Sequence, residues 1–72
     1  MKAEDLVPYL VKLRMAQTNL AAQAKRMRVS QTSLREFEGA YYFPTFDMVC
    51  RYAEALGYGL DIVLVREDEE RA

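Results

Sequence analysis

Apolar residues recur at helical spacing over most of the chain. Leu6, Leu10 and Leu13 give one stripe of a first helix, which Asp5 is expected to cap with Pro8 in the opening turn, where no intrahelical N–H is lost. Thr18 or Asn19 starts a second helix with Leu20, Ala24 and Met27 inward. Val29 fills a turn, Ser30 caps a third helix, and Leu34 and Phe37 pin that helix onto the core. After the loop Gly39-Ala40-Tyr41-Tyr42-Phe43-Pro44, Thr45 caps a fourth helix carrying Phe46, Val49, Ala53 and Leu56 on one side, ended by Gly57.

The period then changes. Leu60-Asp61-Ile62-Val63-Leu64-Val65 is rich in β-branched residues and reads as a strand, with Leu60, Ile62 and Leu64 on one face and Asp61, Val63 and Val65 on the other. A lone strand leaves its backbone N–H and C=O groups without partners. Pairing with a second copy across a two-fold axis satisfies them, and the alternative is an extension packed on its own helices. The expected dimerisation residues are Leu60, Ile62, Val63, Leu64 and Val65.

Within this frame, Asn19 to Glu38 spell two short helices joined by a tight turn, the second opening with small polar side chains. That is the pattern of a helix-turn-helix DNA reader, in which the first outward side chains of the second helix meet base edges in the major groove. Gln31, Thr32, Arg35 and Glu36 stand on that outward face. Glutamine offers paired hydrogen bonds to adenine, threonine a methyl for thymine or a hydroxyl for a base edge, arginine a match to guanine or phosphate, and glutamate an acceptor for cytosine. Glu38, at the helix end, reads as a structural partner instead.

Composition narrows the chemistry. The chain has 72 residues, room for one domain, expected over residues 1–66 with an acidic tail at 67–72. Histidine is absent and Cys50 is the single cysteine, so His-based acid–base chemistry, a Cys/His nucleophile pair and a Cys/His zinc site are excluded, and the reading is of a non-enzyme without metal or cofactor. Cys50 itself is expected as a small buried hydrophobe. With neither a signal-peptide pattern nor an apolar run near the ~20 residues of a membrane span, a cytoplasmic protein is expected. The net charge is −1, yet Tyr9 to Leu60 carries seven basic residues against four acids. The region that could meet DNA is locally basic, and Glu67-Asp68-Glu69-Glu70 is expected as a solvated end.

The order and spacing of Val29-Ser30-Gln31-Thr32-Ser33-Leu34, of Phe37-Glu38 followed six residues later by Pro44, and of Ala53-Glu54-Ala55-Leu56-Gly57 resemble the Xre-type, phage-repressor-like helix-turn-helix family over roughly Leu10 to Leu60. The resemblance implies a mainly α bundle of four or five helices whose third helix enters the major groove, with Gln31 and Thr32 at the positions that touch bases. The strand after Ala55-Leu56-Gly57 is further similar to HipB-type antitoxins, which implies a sheet between subunits. The chain departs from the family in three places: Arg28 stands where a turn glycine is common, Leu20 stands near the place of a helix-opening glutamine, and Tyr41 and Tyr42 replace basic residues.

The expected function is a homodimeric transcriptional regulator, a repressor, reading a palindromic operator in double-stranded DNA. Phosphate contacts are expected from Asn19, Lys25, Arg26, Arg28, Ser30, Ser33, Tyr41 and Tyr42. An antitoxin-like protein that neutralises a partner toxin and autoregulates its operon is the alternative.

Overall fold

A computed structural model describes residues 1–41 and 43–66. Among these residues there are four helices: α1 (Ala3–Gln17), α2 (Leu20–Met27), α3 (Gln31–Glu38) and α4 (Phe46–Ala55). α1 packs against each of the other three, and α2 packs against α3 and α4. The core is Leu10 from α1, Ala24 and Met27 from α2, Leu34 and Phe37 from α3, Val49, Tyr52 and Ala53 from α4, and Leu56 at the C-cap of α4.

Capping residues set the starts of the last three helices. Asn19, Ser30 and Thr45 each have extended backbone and accept from the N–H three residues on, at 2.8 Å from Ala22, 3.0 Å from Ser33 and 3.1 Å from Met48. α1 begins differently from the expectation. Lys2 is its cap residue and makes no side-chain bond, while Glu4 and Asp5 lie inside the first turn, where their charge favours the positive end of the helix dipole. Pro8 consequently sits in the second turn, and its missing N–H leaves the Glu4 carbonyl without the usual intrahelical donor.

One hydrogen-bond pattern ends α2, α3 and α4. The N–H groups of Val29, Tyr41 and Tyr58 reach back five residues to the carbonyls of Ala24, Glu36 and Ala53, and the residue before each donates three residues back. This closure needs a left-handed residue between. Gly57 supplies it on α4 at φ 91°, whereas Arg28 and Ala40, both at φ 59°, adopt it on α2 and α3 against a steric cost of about 1–2 kcal/mol each. The turn into α3 therefore keeps its left-handed geometry without glycine.

α4 differs from expectation at two side chains. Its buried stripe is Val49, Tyr52, Ala53 and Leu56, an axis roughly 70° from Phe46 at 3.6 residues per turn, and Phe46 is exposed. Cys50 projects roughly 110° from the same axis and is half-buried rather than buried; its thiol is pushed up by burial, with Glu54 and Asp47 adding to the shift.

Beyond Gly57, Leu60 packs on the core and Ile62 to Val65 are exposed, Leu64 at 95%. Leu60 to Val63 line an open depression beside Met1, Lys2, Ala3 and Leu6 at the start of α1. Among the described residues there is no strand, and residues 60–66 carry no strand pairing. The acidic tail at 67–72 lies outside the described residues.

Candidate nucleic-acid interface

α3 is held from behind and open in front. Leu34 and Phe37 are fully buried, and the Phe37 ring meets that of Tyr52 at 5.0 Å between centroids, tilted by 34°. Gln31, Thr32, Arg35 and Glu36 are all exposed, so the helix presents two hydrogen-bonding side chains, a cation and an anion with none of them committed to the core.

Glu38 fixes the end of this helix. Its carboxylate accepts from Arg14 Nε at 2.9 Å and Nη2 at 2.8 Å, and from the Tyr52 hydroxyl, joining α3 to α1 and α4. The two charged side chains are only 13% and 12% exposed. The bond to Glu38 raises the Arg14 pKa further above its ordinary value, and burial first, then the Glu38 bond and charge, raises that of Tyr52. Arg14 also donates from Nη1 to the Thr18 carbonyl at 3.2 Å, tying the α1–α2 connection to the same network.

A second polar set locks α2 onto α4. Gln23 is wholly buried; its amide donates to the Tyr52 carbonyl at 3.1 Å and approaches Met27 Sδ at 3.6 Å, while Oε1 has no hydrogen-bond partner. Arg26 Nη1 donates to the Ala55 carbonyl at 3.3 Å, and Arg51 donates to the Met27 carbonyl. Each helix thereby supplies an arginine to the C-terminal carbonyl of the other, where a cation is favoured by the dipole. Arg26, Arg28 and Arg51 line one open depression with Glu54.

The phosphate candidates divide by their roles. Lys25, Arg28 and Tyr41 are exposed. Arg26 is exposed but bonded to α4. Asn19 and Ser30 spend an oxygen on capping, and the Ser30 and Ser33 hydroxyls bond each other at 2.9 Å. Tyr42 lies outside the described residues.

Sequence reasoning missed Arg14, Gln23, Arg51 and Tyr52 as organisers of the site. Arg14 and Glu38 are 24 residues apart, and Gln23 and Tyr52 are 29 apart, so no local pattern marks either pair. Among the described residues no group of His, Cys, Asp or Glu could hold a metal ion, and no helix is long and apolar enough to cross a membrane. No family model, curated protein or solved structure matches the chain.

Proposed function

We propose that this chain is a sequence-specific DNA-binding transcriptional regulator of the Xre-type, phage-repressor-like kind, acting as a homodimeric repressor. The observation that carries the reading is the outward face of α3: Gln31, Thr32, Arg35 and Glu36 are exposed together on a helix capped by Ser30 and entered through a left-handed turn. Such a helix can lie in the major groove with its first turn against base edges, while Lys25, Arg28 and Arg35 meet phosphates. The reading involves no catalysis.

Two-fold symmetry supplies the second half. Pairing of residues 60–65 with the same segment of another copy would satisfy the backbone groups and cover Ile62, Val63, Leu64 and Val65. Two recognition helices about 34 Å apart then read a palindrome with half-sites one helical turn apart. The same exposed run also favours an antitoxin-like reading, in which it covers a partner protein; a heteromeric complex with the product of a neighbouring gene, in place of a homodimer, would select it.

The test is specific binding. A duplex enriched from a random pool by the full chain is titrated beside a scrambled duplex at one salt concentration. Gln31→Ala is expected to weaken the enriched duplex by about 1–3 kcal/mol and to leave the scrambled one nearly unchanged. Equal losses on both would remove base reading from Gln31, and a pool yielding no enriched duplex would remove the function.

A further inference from the structure

Gly39 closes α3, and its missing side chain is filled from elsewhere in the chain. A Cβ built there would stand 2.8 Å from Tyr41 Cε2, 3.2 Å from Tyr41 Cδ2 and 3.2 Å from the Arg35 carbonyl oxygen, so the tyrosine ring is the nearest occupant of the space that any other residue would claim. The glycine is not needed for its backbone. Its φ of −81° and ψ of −2° suit alanine, and its N–H continues the helix to the Arg35 carbonyl at 2.9 Å.

The direction of that space matters. On a helix of 3.6 residues per turn, Gly39 projects roughly 40° from Arg35 and roughly 20° from Thr32, on the side opposite Leu34 and Phe37. The Tyr41 ring is therefore folded back onto the outward face of α3, beyond Arg35, and remains 78% exposed. Its backbone is fixed as well, because the Tyr41 N–H bonds the Glu36 carbonyl at 3.3 Å in the closure that left-handed Ala40 makes possible.

We infer that Gly39 is a positioning residue for DNA binding: by lacking a side chain it seats Tyr41 at the C-terminal end of the reading face, about 10–12 Å along the helix from Thr32 and Gln31, from which the Tyr41 hydroxyl donates to a phosphate oxygen flanking the bases they meet. This rests on the DNA-binding reading above. Rotamer freedom, rather than intrinsic hydrogen-bonding power, is what the glycine controls. A ring held in place donates to phosphate without first being ordered, and a neutral donor fixes register without releasing counterions.

The experiment titrates the enriched duplex with the full chain and its Gln31→Ala, Tyr41→Phe, Tyr41→Ala, Gly39→Ala and Gly39→Ala/Tyr41→Ala variants, with thermal unfolding of each. Tyr41→Phe is expected to bind about tenfold more weakly, as for loss of a hydrogen bond to a charged group. Gly39→Ala should lose binding while melting close to the parent, since φ and ψ suit alanine, the ring can swing outward and only the Arg35 carbonyl, at 3.2 Å, must give slightly. The double variant should bind no worse than Tyr41→Ala, and the slope of log K against log salt should stay unchanged in all the Tyr41 and Gly39 variants. Parent-like binding by Gly39→Ala or Tyr41→Phe, or independent multiplying losses in the double variant, overturns the inference. If Gln31→Ala loses specific binding while these variants do not, the inference alone falls; if no duplex is enriched, both it and the DNA reading fall.

Discussion

Removing the Glu38 carboxylate tests the arrangement that holds the reading helix. Glu38→Ala deletes the acceptor for two Arg14 donors and the Tyr52 hydroxyl, and leaves a guanidinium and a phenol facing each other with little water. Exposed ion pairs contribute about 0–1 kcal/mol, whereas breaking a buried pair costs about 3–5. At 13% and 12% exposure the pair lies near the buried limit, so a loss of about 3 kcal/mol is expected. For 72 residues a total stability of about 4–11 kcal/mol is typical, making this a substantial fraction of it. Urea unfolding followed by far-ultraviolet circular dichroism measures the change. Arg14→Ala should cost at least as much, because it also removes the bond to the Thr18 carbonyl. The double variant should fall short of additivity by about 1–3 kcal/mol, since the second substitution removes a group already left unpaired. A loss below about 0.5 kcal/mol for Glu38→Ala, or full additivity, would refute the structural role assigned to the network.

Alkaline pH probes the same site through Tyr52, whose folded pKa is raised by burial and then by Glu38. Its contribution is fully present below about pH 10, the unfolded value, and is lost as pH rises from there toward the folded value, by at most about 1.4 kcal/mol per pH unit; Tyr52→Phe should unfold with a shallower alkaline dependence in parallel urea titrations. Ala40→Gly should raise stability by up to about 1 kcal/mol by relieving its left-handed strain, and a lower urea midpoint would refute that account. In DNA titrations, six charges from Lys25, Arg28 and Arg35 of two subunits imply a slope of log K against log salt of about −4 to −6, lowered by Arg28→Ala, and a slope near zero would contradict phosphate binding. Deleting the residues after Gly59 should yield a monomer on sedimentation with much weaker operator binding, and Val63→Pro should act similarly; a dimer that survives both places the interface elsewhere.

Local features of the fold follow from residues close together in the chain. Ser30 and Thr45 were legible as caps because a cap acts within one turn, whereas the choice between Thr18 and Asn19 for the second helix was made by the structure in favour of Asn19; Leu34 with Phe37 faced the core because three-residue spacing places them on one side of a helix. The exposure of Gln31, Thr32, Arg35 and Glu36 follows from the same periodicity. Left-handed closure was legible at Gly57, where glycine adopts it without steric cost, and not at Arg28 and Ala40, which adopt it at φ 59°. Tertiary structure alone decided the partners of Arg14, Gln23, Arg26, Glu38 and Tyr52. Those pairs join residues far apart in sequence, and their energy depends on removal from water, which arises only when the helices have packed. Phe46 and Pro8 fell outside the expected pattern: the buried face of α4 takes in Tyr52 and turns away from Phe46, and α1 begins at Ala3, before the expected cap Asp5.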